Sequence, residues 1–103
     1  MHHVELAPRA VRDLRKLKDA RARRDVARCL QDELSADPRP ANLDIKVLGG
    51  NEPWLRARCG EFRVLFRALT RDELKGIGAK QPTGHLVARI IDRAELDRAV
   101  RSL

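Results

Sequence analysis

Between Trp54 and Leu69 the sequence reads WLRARCGEFRVLFRAL, with Arg56 and Arg58 two residues apart and Arg63 and Arg67 four apart in an otherwise apolar run. A guanidinium keeps its charge at any working pH and offers a planar fork of donors, so several on one surface suit the oxygens of a phosphate. Arginine is seldom buried without a partner, which makes the direction of these side chains the first thing to establish. Side chains alternate between the faces of a strand. A hairpin folded at Gly60-Glu61, with glycine at the first central position of a type II′ turn, sets Cys59 opposite Phe62, Arg58 opposite Arg63, Ala57 opposite Val64, Arg56 opposite Leu65, Leu55 opposite Phe66 and Trp54 opposite Arg67. One face then carries Leu55, Ala57, Cys59, Phe62, Val64 and Phe66 and reads as core; the other carries Arg56, Arg58, Arg63 and Arg67 with Trp54 and Leu65. A one-residue slip would scramble this partition on one strand and bury charge. Like charges directly opposed across strands are destabilising, so Arg58 opposite Arg63 is relieved by an anion between them. The alternative is a solvated face with carboxylates folded over it from the long loop or the terminal helix. No acidic residue lies on the arginine face of either strand, and Glu61 belongs to the turn.

The last strand extends the surface. Arg89, Ile91 and Arg93 share one parity and Leu86, Ala88 and Ile90 the other, so Arg89 and Arg93 join the basic face if the second set packs on the helices. Three groups near this face could move protons: Glu61, Glu95, and His85, which shares the parity of Arg89 and Arg93. Each has a plainer reading, Glu61 as a turn residue, Glu95 as a first-turn helix acid favoured by the dipole, and His85 as an exposed strand end.

The elements that must hold these residues follow from hydrophobic spacing. Val4-Glu5-Leu6 is long enough for a short strand. Pro8 fits a first helical turn, and Ala10, Val11, Leu14 and Leu17 recur at helical spacing, predicting a helix over 8–18. A second helical set, Val26, Ala27, Cys29, Leu30 and Leu34, ends at Asp37-Pro38-Arg39-Pro40 because proline cannot continue it, and the two helices form an antiparallel hairpin. Residues 37–53 read as a loop holding one short apolar piece, Ile45-Lys46-Val47-Leu48, stopped by Gly49-Gly50. Thr70 to Gly84 reads as a long mobile connection, His85 to Ile91 as a strand, and Ala94 to Leu103 as a short terminal helix. The order β-α-α-β-β-β-α predicts an α+β fold: an antiparallel sheet of about four strands, the N-terminal helical hairpin on one face, and a short C-terminal helix.

The whole-chain numbers bound the partners. The 103 residues make one domain, 1–103, and a net charge of +7 puts a polyanion first among them. No apolar run approaches the roughly 20 residues of a membrane span and the start does not read as a secretion signal, so the expected location is the cytoplasm, with no membrane partner. Cys29 and Cys59 lie far apart without a second ligand pair near either, which predicts unpaired, reduced thiols and no metal site.

The helical hairpin, the pieces KVLGG and LRARCGEFRVLFR, and the closing ARIIDRAEL together resemble the RelE/ParE superfamily of bacterial type II toxins, in order and over nearly the whole chain. The most specific element is the arginine-bearing strand followed by Gly-x-aromatic-Arg-aliphatic-aliphatic-aromatic. The resemblance implies a small sheet with a helical hairpin, a cognate antitoxin that wraps the toxin, and one of two activities: mRNA cleavage in the ribosomal decoding site for RelE-like members, or poisoning of DNA gyrase without nuclease activity for ParE-like ones. Carried over by position, it implies that Arg56 and Arg58 match the basic residues of the central strand, Arg63 the arginine after the family's Gly-Tyr, and Arg93 the arginine closing the last strand. In RelE-like enzymes the mRNA 2′-hydroxyl attacks the adjacent phosphate and basic side chains stabilise the charge that develops, with no metal or other cofactor. Arg67, Arg89, Lys46 and Trp54 are the further RNA contacts expected on this basis. The chain departs from the pattern in having no tyrosine, where RelE enzymes commonly carry one near the start of the terminal helix; here that neighbourhood is Arg98-Ala99-Val100. The resemblance therefore implies a ribosome-dependent endoribonuclease, with a ParE-like gyrase inhibitor or an inactive toxin-fold binding protein as the alternatives.

Overall fold

The computed structural model describes residues 1–48 and 53–103. Its strands are β1 (His3–Leu6), β2 (Ile45–Val47), β3 (Leu55–Cys59), β4 (Phe62–Ala68) and β5 (Gly84–Asp92). Its helices are α1 (Pro8–Lys16), α2 (Ala20–Arg28, continued as a π-helical turn over Cys29–Leu34), α3 (Arg71–Gly76) and α4 (Leu96–Arg101), the last entered through a 3₁₀ turn at Arg93–Glu95. The strands form one sheet in the order β1-β5-β4-β3-β2. Among the described residues no helix is long and apolar enough to cross a membrane.

The α+β class and the two consecutive N-terminal helices follow the expected pattern, but the sheet is mixed and five-stranded rather than antiparallel with about four. Ile45–Val47, read as part of a loop, pairs antiparallel with β3 as an edge strand. Three residues at an edge, with Val47 62% exposed, carry too little alternation to separate strand from loop. The predicted stop at Gly49-Gly50 lies outside the described residues. At the other edge β1 runs parallel to β5, from His3 opposite Gly84 to Leu6 opposite Val87. A parallel neighbour needs a long crossover, and here nearly the whole chain intervenes. The pairing also needs a residue without a side chain at position 84, where a Cβ would stand 2.8 Å from the His3 carbonyl oxygen.

The hairpin register is the one the alternation predicts, from Leu55 opposite Phe66 to Cys59 opposite Phe62. Gly60 has φ +65° and Glu61 does not take a positive φ, which fits the type II′ turn. Ala57, Val64 and Phe66 face the main core with Ala10 of α1 and Val26, Leu30 and Leu34 of α2 and its extension. On the opposite face Leu65 and Ile91 pack under α4 with Ala99, Leu96, Val100 and Leu103. The arginine face is thus not open throughout; the terminal helix covers its middle.

Three further expectations are corrected. Thr70 to Gly84 contains α3, started by a capping box in which the Thr70 side chain accepts from the Glu73 N–H and the Glu73 carboxylate accepts from the Thr70 N–H. Cys29 and Cys59 are joined in a disulfide with Cα atoms 6.1 Å apart, because the end of α2 packs against the inward face of β3 and brings both into the main core. Finally, β5 carries a bulge: Leu65 faces Arg89 while Phe66 faces Val87, which leaves Ala88 as the extra residue and reverses the parity of everything before it. Val87 enters the core in place of Leu86 and Ala88.

Candidate nucleic-acid interface

The bulge decides which candidate residues meet. Beyond it, Arg63 faces Ile91, so the end of β5 keeps the predicted parity and delivers Arg93 beside the hairpin turn. Before it, His85 pairs with Ala68 and turns to the core side, its ring 5.2 Å from Phe66 and 4.9 Å from His2. His85 therefore does not share a face with Arg93, and stands about 26 Å from it along β5 at the usual rise per residue. Its Nδ1 is buried without a hydrogen-bond partner. Burial first, then the charges of His2 and Arg39, lower its pKa from 6.5 to about 4. It is a neutral packing group at the far end of the sheet.

What gathers at the near end is an arginine cluster. Arg58 of β3 stands directly opposite Arg63 of β4. Burial, then the fields of Arg56, Arg58 and Arg93 in that order, lower the Arg63 pKa, while Glu61 opposes them. The Arg63 guanidinium donates to the carbonyls of Gly60 (3.0 Å) and Phe62 (3.1 Å), which holds it over the turn. Arg56, 8% exposed, pairs with Asp44 at 3.5 Å just ahead of β2. Arg93 pairs with Glu61 at 3.2 Å, both well exposed, and its N–H donates to the Glu61 carbonyl. Among the described residues no carboxylate forms an ion pair with Arg58 or Arg63. Lys46, exposed and opposite Arg56, extends the cluster toward β2. Asp44 and Glu61 thus offset only part of the positive charge gathered around the Arg58–Arg63 pair.

The other two arginines are engaged elsewhere. Arg67 makes two 2.8 Å bonds to the Glu73 carboxylate, which raise its pKa, and its guanidinium lies 5.8 Å from the centre of the Trp54 ring. The Arg67 hydrogen bond, then the Thr70 N–H, pull Glu73 from 4.5 to about 2. Arg89 wraps over the sheet edge to Asp13 of α1 at 2.8 and 3.1 Å, and the same carboxylate accepts from the Ile90 N–H, for which β1 is too short to supply a partner. The alternative reading, carboxylates folded over the face, therefore describes Arg67 and Arg89, and Arg56 and Arg93 also have carboxylate partners. Among the described residues Arg58 and Arg63 form no ion pair. Glu95 lies exposed in the 3₁₀ turn that follows β5, and its charge raises the Arg89 pKa as the smallest of the contributions there.

Sequence reasoning missed Asp13, Asp44 and Glu73 as arginine partners. Glu73 had a local signal, the Thr70-x-x-Glu73 spacing of a capping box. Asp13 had none, since 76 residues separate it from Arg89. Among the described residues, no cluster of three or more His, Cys, Asp or Glu is placed to hold a metal ion.

No protein-family model matches the sequence, and no curated protein does so. Solved structures do match in shape. A chain of the RelB–RelE antitoxin–toxin complex from Methanococcus jannaschii superposes with TM-score 0.63 at 17% identity, covering 92% of this chain and 96% of that one. A chain of the RelBE2 toxin–antitoxin complex from Mycobacterium tuberculosis gives TM-score 0.65 at 23% identity, covering 89% and 98%. A chain of the archaeal RelE–RelB complex from Pyrococcus horikoshii gives 0.62 at 21%, covering 89% and 94%. At these identities the likeness shows a shared fold, carried over nearly the full length of both partners.

Proposed function

We propose that this protein is the toxin of a type II toxin–antitoxin pair and a RelE-like endoribonuclease that cleaves mRNA on the ribosome. The observation that carries the reading is the Arg58–Arg63 pair, opposed across two strands and without a carboxylate partner among the described residues, on a fold shared with chains of toxin–antitoxin complexes. In the reaction the 2′-hydroxyl attacks the adjacent phosphorus and loses its proton, the P–O5′ bond breaks, and the leaving 5′-oxygen takes a proton from water, giving a 2′,3′-cyclic phosphate and a free 5′-hydroxyl. Arg58 and Arg63 supply fixed positive charge where the phosphorane oxygens gain negative charge, and Arg56 and Arg93 reinforce it. Such preorganised electrostatic stabilisation is often the largest part of a rate enhancement, and it calls for no metal or cofactor. Glu61, beside Arg93 and in the field of Arg63, is the carboxylate best placed to take the 2′-hydroxyl proton. The excess positive charge also suits an antitoxin that brings acidic side chains to this face.

A second reading, a ParE-like inhibitor of DNA gyrase that does no chemistry, is favoured by one feature. The chain has no tyrosine, and its one strand histidine outside the N-terminal segment, His85, stands at the far end of the sheet, so no group that titrates near neutrality adjoins the arginines. Controlled expression with primer extension on a reporter mRNA separates the two. Cuts inside translated codons that vanish in Arg63→Ala/Arg93→Ala are the expected result. Intact message with DNA damage and arrested growth would point to gyrase, and cuts that persist in the double variant would remove the arginine cluster from the mechanism.

A further inference from the structure

Trp54 is the only tryptophan, yet it belongs to neither core cluster and stays half-exposed. It sits just ahead of β3 at the parity of Arg58, with Arg56, 8% exposed and paired with Asp44, between them. Four residues separate its Cα from that of Arg58, about 13 Å along a strand. The guanidinium 5.8 Å from its ring is not a loose one, since both nitrogens of Arg67 that bond Glu73 do so at 2.8 Å. The ring is braced by a side chain that is itself fixed by a capped helix. Trp54 also borders a concavity of about 360 Å³, mainly apolar, which Ala7, Ala88, Arg89 and Leu103 help to line. That volume lies within the range of small-ligand sites.

Resting on the nuclease reading above, we infer that Trp54 is a stacking platform for one unpaired base of a single-stranded RNA whose phosphates lie on Arg58 and Arg63. A flat aromatic surface accepts any base, whereas the Arg58–Arg63 pair, about 13 Å along the strand, holds the backbone. The concavity beside the ring gives the base a place off the backbone line. A protein side chain would use the apolar wall but would leave the Arg58–Arg63 pair without a counterpart.

The absence of tyrosine makes the intrinsic fluorescence of the whole chain a report on Trp54. The full-length protein is titrated with a short 2′-O-methyl oligonucleotide, which binds without being cleaved, and separately with inorganic polyphosphate, which has charge and no bases. The oligonucleotide should quench the fluorescence and polyphosphate should bind, by calorimetry, without quenching. Trp54→Leu, which keeps apolar bulk and removes the aromatic face, should weaken the oligonucleotide by roughly tenfold or more and leave polyphosphate unchanged; Trp54→Phe should stay near the native affinity. Oligonucleotide binding with unaltered fluorescence, or with native affinity in Trp54→Leu, would overturn the stacking role while leaving the arginine face intact. If neither ligand binds, the arginine-face reading falls and this inference with it.

Discussion

Arg58 and Arg63 are placed where a protein selected for stability alone would not place them. Two like charges directly opposed on neighbouring strands cost between a few tenths and about 1 kcal/mol, and the solvent exposure of Arg58 keeps the figure toward the lower end. Arg56, Arg67, Arg89 and Arg93 each have a carboxylate that lowers the cost of holding them, so the exception falls on the pair at the centre of the cluster. Replacing Arg58 by threonine, which suits a strand, should raise the urea midpoint at low salt. The gain should shrink when sulfate is added, because the anion relieves the repulsion in the native chain and has less to relieve in the variant. Equal gains at low salt and in sulfate would mean that no anion sits between the two guanidiniums.

At the scale of elements, the parts that were legible in the sequence are those fixed by local pattern. The hairpin register was readable because Cys59 and Phe62 flank a glycine turn and the apolar and charged positions alternate cleanly on both sides. The bulge at Ala88 was not, since Leu86 to Ile91 carries apolar residues on both parities, with Arg89 the one charge, and either face could take it. That ambiguity misplaced His85. The disulfide was unreadable for a different reason: Cys29 and Cys59 meet only because α2 lies on β3, and nothing near either residue says so. The case of α3 is instructive, because its start was written in Thr70-x-x-Glu73 while its single buried anchor, Leu74, left no periodicity to confirm it. The helix also turns Glu73 into the partner of Arg67 and so into the brace behind Trp54. Thr70→Ala should cost about 1 kcal/mol of stability, within the usual range for a lost cap. It should also raise amide exchange across Arg71–Gly76 without altering exchange in the β3–β4 hairpin. Uniform loss of protection would show that α3 opens only with the whole molecule.

Across the whole molecule, two groups give stability the same dependence on acidity. His85 has a folded pKa of about 4 against its ordinary 6.5, so the unfolded chain binds its proton more readily and stability falls as the pH drops from 6.5 to about 4. Glu73 is depressed from 4.5 to about 2, so its contribution is present above 4.5 and is lost as the pH falls toward 2. Denaturant melts should therefore show stability declining in two stages below neutrality. His85→Gln should flatten the upper stage and Glu73→Gln the lower, and a profile unchanged in both variants would assign the acid sensitivity to other groups. The net charge of +7 acts over the same scale, adding self-repulsion that a bound polyanion relieves.

The placement of β5 between β1 and β4 also bears on how the protein is made. A ribosome delivers β1, both hairpin helices, and the strands carrying Arg56, Arg58 and Arg63 well before it delivers residues 84–92. Until those last residues emerge, β1 has no neighbour, β4 has one bare edge, and Arg93 does not exist to complete the cluster. The sheet is finished by an inner strand rather than from its rim. The arginine cluster is therefore completed only once the fifth strand has been added and Arg93 follows it.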